Sequence, residues 1–205
     1  MKDSTESTPK AFEIVKRDNC FKGFYQLDRV HVRHELFAGG MSQEISRELF
    51  VRHDAVCVLP YDAIRDEVVL IEQFRVGALG KVDNPWLIEV VAGLIDKDEK
   101  PEEVAQREAE EEAGLSFSSL WPVTRYLPSP GGSDEFVHLY LGRCSTAEAG
   151  GLYGLDEEGE DIRVKVWAFE DALQAVRDGR ICNAAAIILI QWLALNRDEV
   201  RGLWK

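Results

Sequence analysis

One well-bounded helix, set in the middle of a chain otherwise written as short β-like runs, constrains this sequence more than any other feature. In PEEVAQREAEEEA, residues 101–113, Pro101 fits the first helical position, Glu102 and Glu103 suit the positive N-terminal end, and Gly114 supplies the stop. Before it, residues 11–54 alternate apolar and polar types, as in FEIVKR, VHVRHELF and ISRELFVRH. They read as a small antiparallel sheet with a turn at Gly39-Gly40. AVCVL and EVVLIEQ then read as a hairpin around the turn PYDAIRD, WLIEVV (86–91) as one further strand, and AGLIDKDEK as a loop. After the helix, residues 121–127 and 136–142 return to strand character around the turn-rich PSPGGSDE. A long acidic, Gly-rich loop (145–161) leads into the strand IRVKVWAF and two closing helices, near 169–178 and 184–197, with Asn183 as N-cap of the second. Strands, helix, strands, helices is the order of a mixed α/β sandwich with helices on a mainly β core.

Bulk properties narrow the function classes. A chain of 205 residues, 45% hydrophobic and 30% charged, can bury a core without disulfides or structural metals. A net charge of -13 argues against general nucleic-acid binding, which needs Lys and Arg to neutralise phosphates. Cys20, Cys57, Cys144 and Cys182 form no CxxC pair and are expected to be free, partly buried thiols. Residues 1–10 are polar, read as a disordered start rather than a secretion signal, and no apolar run is long enough to span a membrane. The expected location is cytoplasmic. His31 and His34 lie three apart on a strand and so face opposite ways, which speaks for surface or dimer-edge residues rather than a metal pair. His53 and His138 support no triad.

On the 101–113 helix, Glu108, Glu111 and Glu112 are spaced i, i+3, i+4 and share one arc, with Arg107 the basic residue beside them. Taken alone, that arc reads more readily as a solvated acidic face. It also suits hard divalent cations, which take a few carboxylates plus substrate phosphates. The surroundings decide between the two. GLIDKDEKPEEVAQREAEEEAGL, from Gly93 to Leu115, resembles the Nudix box at every defining position: Gly93, Glu99, Arg107, Glu108, Ala109, Glu111, Glu112, Gly114 and Leu115. The resemblance implies a Nudix α/β/α sandwich that hydrolyses a pyrophosphate with Mg²⁺, or Mn²⁺, two or three ions per site. It implies metal contacts from the Ala92 carbonyl, Glu108, Glu112 and, nearby, Glu111, with Arg107 and Glu99 orienting the carboxylates. Gly93 is expected to allow a sharp backbone turn.

The likeness extends from about Phe12 to Trp204. RDEVVLIEQFRV, NPWLIEVVAGLI, LPSPGGSDE, GLDEEGEDIRVKV and CNAAAIILIQWLAL resemble the dimeric ADP-ribose pyrophosphatases of bacteria. That resemblance implies hydrolysis of ADP-ribose to AMP and ribose 5-phosphate. It implies Glu158 as the catalytic base, with Glu157 as the neighbouring alternative, and Glu160 as a further metal contact. Substrate contacts are implied for Phe24 and Tyr25 at the adenine, and for Arg47, Glu48, Arg52, Arg75, Leu94, Ser129, Pro130, Gly131 and Glu135. It further implies a homodimer with shared active sites, whose N-terminal antiparallel sheet (11–54) is exchanged between subunits and whose hydrolase domain spans 55–205. Another nucleoside diphosphate-sugar such as GDP-mannose is the alternative substrate. A non-catalytic nucleotide sensor is the alternative class, disfavoured by the complete set of box glutamates.

Overall fold

The computed structural model describes residues 8–155 and 159–204. Among these, two compact units separate: residues up to Arg52 together with Leu127–Glu135, and His53–Tyr126 together with the residues from Phe136 on.

The first unit is built on an antiparallel sheet, β1 (Phe12–Lys22), β2 (Gln26–His34) and β3 (Ile45–Val51), in that order. Apolar–polar alternation drew these strands correctly, yet the sheet has no apolar core of its own. Among the side chains of the three strands, Asp28 alone is buried, held by Arg17, Asn19 and Gln26. Phe12, Ile14 and Phe21 on β1 are exposed. The 127–135 loop belongs to the same unit: Phe50 donates its N–H to the Gly132 carbonyl at 2.8 Å, and Arg52 donates its own to Asp134 at 3.0 Å. His31 contacts Glu44 at 3.0 Å through Nδ1, while the His34 ring turns to the Glu35 carbonyl, so the two histidines have separate partners.

The second unit is an eight-stranded sheet between helices. Its strands are β4 (Ala55–Asp62), β5 (Glu67–Phe74), β6 (Trp86–Glu89), β7 (Val91–Leu94), β8 (Ser119–Tyr126), β9 (Val137–Arg143), β10 (Gly151–Tyr153) and β11 (Ile162–Ala168). The main path runs β10-β11-β5-β4-β9-β8, with β6 paired to β5, β7 paired to β4, and β4 parallel to β9. The helices are α1 (Pro101–Ala113), α2 (Phe169–Arg177) and α3 (Ala184–Trp204). Because side chains alternate across a strand, each β4 and β5 residue is assigned to one of two cores. Cys57, Leu59, Tyr61, Val68 and Leu70 pack with α2 and α3; Val56, Val58, Val69 and Ile71 pack with α1. The α/β/α sandwich expected from the sequence is present.

The differences have local causes. The 86–91 run is two strands broken at Val90, because β6 and β7 pair with different neighbours. Ala92, Gly93 and Leu94, expected in a loop, lie in β7, paired with β4. The expected turn PYDAIRD begins later, since Pro60, Tyr61 and Asp62 continue β4. Gly151–Tyr153 adds an edge strand inside the expected loop. Cys20 and Cys182 are exposed rather than partly buried, though all four cysteines are free as expected. No helix of the described residues is long and apolar enough to cross a membrane.

Helix α3 runs seven residues beyond its expected end, and tertiary contacts explain it. Val200 and Trp204 are buried, and Arg197 and Arg201 both reach Asp66 in the β4–β5 turn. Burial alone would raise the Asp66 carboxyl, but the Arg197 and Tyr61 hydrogen bonds and the two guanidinium charges hold it below the usual carboxylate range. A depressed folded-state pKa contributes stability above the unfolded value, about 4, that disappears as pH falls through the folded one. Asp66→Asn is expected to cost about 2 kcal/mol at neutral pH and to flatten the loss of stability between about pH 5 and 2; urea titrations of both proteins across that range check it.

Candidate active site

The site is assembled where α1 meets β7. Helix α1 starts at Lys100, whose N–H donates to the Glu103 carboxylate at 2.8 Å, and ends at Gly114, in the left-handed region at φ 62°. Its buried face is Val104, Ala105, Ala109, Ala113 and, unusually, Glu112. Three alanines at four-residue spacing keep that face thin, so the helix lies close to the strand. The closeness is measurable at Gly93. A Cβ built there would lie 2.0 Å from Oε1 of Glu108. Gly93 is therefore required by the approach of a carboxylate, and it sits within an extended strand rather than in the sharp turn expected from the sequence.

Glu112, 3% exposed, accepts the Ala92 N–H at 2.9 Å. Burial pushes its carboxyl up to about 8; the Ala92 hydrogen bond opposes this, and the charges of Glu108 and Glu160 add to it. Glu108 is pushed up to about 7, by burial first, against the pull of Arg107, with Glu111 and Glu160 raising it further. Arg107 ties the remaining acids together, at 2.8 Å from Glu108, 3.0 Å from Glu111 and 3.4 Å from Glu99. The structural ion pair expected of Arg107 and Glu99 is present. Glu160 is half-buried, and its Oε2 accepts the Leu155 N–H at 3.3 Å.

Crowded, dehydrated carboxylates whose charges oppose one another are the electrostatic complement of a cation. Among the described residues no three His, Cys, Asp or Glu side chains form a ready-made cage. Mg²⁺ does not need one, because it binds through one or two carboxylates and keeps its other positions for water and phosphate. Glu108, Glu112 and the Ala92 backbone, brought to one place by α1 and β7, fit that mode.

Arg75 follows β5 and pairs with Glu89 at 2.6 Å, and its charge is felt at Glu112. Glu89 is a polar site residue that the sequence reading passed over. Its signal was a lone acid in the apolar run WLIEVV, and its carboxyl is raised by burial against the pull of Arg75. The Leu94 side chain, partly buried, packs with the core under α2 and α3. Glu158 and Glu157 lie outside the described residues.

The other expected substrate residues gather in the first unit. Phe24 is 81% exposed, with its ring edge-on to Tyr25 at 4.7 Å, and Tyr25 in turn meets Phe50 at 5.0 Å. The Arg52 guanidinium lies over the Tyr25 ring, 4.9 Å from its centre, and pairs with buried Glu135 at 3.1 Å. Arg47 and Glu48 are exposed on β3, Arg47 turning to the Ser46 carbonyl and Glu48 facing Arg29 at 3.4 Å. Ser129, Pro130 and Gly131 form a turn in which the Ser129 carbonyl accepts the N–H groups of Gly132 and Ser133.

If the Gly93–Glu108 contact sets the site, Gly93→Ala must displace the carboxylate. A displacement of roughly 1 Å costs about 100-fold in turnover. Unchanged circular dichroism with turnover of the substrates named below reduced by that factor is the expected result.

Comparison with known proteins gives a consistent picture. The NUDIX domain family model matches residues 51–185. The ADP-ribose pyrophosphatase of Escherichia coli (strain K12) is 46% identical over 192 residues, covering 94% of this chain and 92% of that protein. The ADP-ribose pyrophosphatase of Haemophilus influenzae is 43% identical over 196 residues, covering 94% and 90%. A GDP-mannose pyrophosphatase of Klebsiella pneumoniae is 38% identical over 161 residues, covering 76% and 78%. A crystal structure described as an ADP compounds hydrolase superposes with a TM-score of 0.71 at 18% identity, covering 95% of this chain and 99% of that one, a likeness of fold.

Proposed function

The chain belongs to the NUDIX family, and we propose that it hydrolyses the pyrophosphate bond of ADP-ribose, giving AMP and ribose 5-phosphate. The observation that carries this reading is the pair of buried carboxylates, Glu108 and Glu112, crowded against the Ala92–Gly93 backbone. The choice of ADP-ribose is supported by relatives of that name at 43% and 46% identity over nearly the whole chain; the GDP-mannose pyrophosphatase relative is more distant.

A divalent cation, Mg²⁺ or Mn²⁺ in two or three copies, supplies positive charge for the phosphate oxygens and acidifies the attacking water. Glu108, Glu112 and the Ala92 carbonyl would hold it, with Glu111 and Glu160 as further contacts. Arg107 fixes the rotamers of Glu108 and Glu111 through its ion pairs. Arg75 offers a guanidinium to the phosphates, its Glu89 partner keeping the fork aimed. Glu158 is assigned the removal of the proton from water.

Phe24 and Tyr25 present an aromatic surface for the adenine, stiffened by Phe50 and Arg52. Arg47, Glu48, Arg52, Ser129, Pro130, Gly131 and Glu135 complete the substrate contacts, with Leu94 acting through its backbone or side chain. A homodimer with shared sites is part of the proposal, supported by the exposed apolar residues of a sheet without its own core. A cytoplasmic location belongs to it as well.

Incubation with Mg²⁺ and a panel of ADP-ribose, GDP-mannose, ADP-glucose and NADH, followed by release of monophosphate, tests the substrate. ADP-ribose is expected to show the highest kcat/KM; a GDP-mannose preference would overturn the substrate assignment and leave the chemistry. Glu112→Gln should lose on the order of 1000-fold in kcat, about 4 kcal/mol of transition-state stabilisation, and lose the Mg²⁺-dependent rise in Tm. Retention of both would sink the metal assignment.

A further inference from the structure

Glu160 lies on no strand or helix, yet it is half-buried and its carboxylate accepts the Leu155 N–H at 3.3 Å. Contacts outside regular secondary structure must therefore set where that carboxylate stands. Two neighbours in the chain, Tyr153 and Gly154, make the contacts that do so.

Tyr153 ends β10, opposite Ile162 of β11. Its ring leaves the sheet edge and lies on Gly114, the left-handed residue that closes α1. A Cβ built on Gly114 would be 2.6 Å from Cε1 of that ring and 2.7 Å from its hydroxyl oxygen. The ring also packs with the core that holds Ala109, Ala113 and Leu115. Tyr153 is thus fastened to the end of the helix that carries Glu108 and Glu112.

Gly154 follows with φ 105°, a conformation that residues with a Cβ rarely adopt. It lies flat against Glu160: a Cβ there would be 2.7 Å from Cβ of Glu160 and 3.0 Å from its carbonyl oxygen. Leu155 closes the contact from both sides. Its carbonyl accepts the Glu160 N–H at 3.2 Å, and its own N–H donates to the Glu160 carboxylate at 3.3 Å.

We propose that Tyr153 and Gly154 are positioning residues, a tie that sets where the Glu160 carboxylate stands relative to the end of α1, the helix that carries Glu108 and Glu112. The inference rests on the reading of Glu160 as a metal contact and adds to it the parts that place the residue. Both act through Glu160, as supporting contacts act on metal ligands generally.

The test measures Mn²⁺ binding to the full-length protein without substrate, by the electron paramagnetic resonance signal of free Mn²⁺, alongside kcat and KM. Tyr153→Ala and Gly154→Ala are each expected to weaken Mn²⁺ about 10-fold, the lower end of the effect of losing a supporting contact. Both should lower kcat with little change in KM for ADP-ribose. Tyr153→Phe keeps the ring on Gly114 and should bind Mn²⁺ as the parent does. Glu160→Gln serves as the reference. If it weakens Mn²⁺ but Tyr153→Ala and Gly154→Ala change only Tm, the positioning role is overturned and the metal reading stands. If Glu160→Gln leaves Mn²⁺ binding intact, the metal reading of Glu160 fails and the positioning role falls with it.

Discussion

The approach of α1 to β7 is the contact on which the rest of the site depends. It is close because the helix presents alanines to the sheet and the strand presents a glycine to the helix. That proximity puts the Glu108 carboxylate over Gly93 and the Glu112 carboxylate within hydrogen-bonding range of the Ala92 N–H. Two acids are thereby removed from water while facing each other, an arrangement that a folded protein sustains when the chemistry of the place includes a cation.

The surrounding architecture keeps that contact rigid. Residues of β4 and β5 divide between two cores, so the same strands that carry α1 on one face carry α2 and α3 on the other. Helix α3 is fastened to the β4–β5 turn through Arg197, Arg201 and Asp66. Around the carboxylates, Arg107 collects Glu99, Glu108 and Glu111 into one ion-paired group, which sets their orientations before any ligand arrives. Preorganised charge of this kind is where a hydrolase gains most of its rate.

The first unit follows a different logic. Its strands are long and correctly paired, yet its described residues bury Asp28 and Glu135 rather than an apolar core. Aromatic and cationic stacking, from Phe24 through Tyr25 and Phe50 to Arg52, takes the place of hydrophobic packing. These ring contacts leave Phe24 exposed.

The sequence by itself determined the elements and the reaction class. Alternation marked the N-terminal strands, Pro101 and Gly114 bounded α1 to the residue, and the 23-residue box carried the acids, because each of these signals is local. Tertiary structure decided what locality could not. The break at Val90 arose because two strands in succession found different partners, and α3 lengthened because Val200 and Trp204 met a core and its arginines met Asp66. Gly93 turned out to be needed for a contact with a residue fifteen positions on, not for a turn of its own. Glu89 and Tyr153 make their contacts with neighbours distant in sequence, Arg75 and Gly114. Spacing along one helix can state which carboxylates share a face; only packing against a strand can dehydrate them, and dehydration is what separates Glu108 and Glu112 from a solvated acidic face.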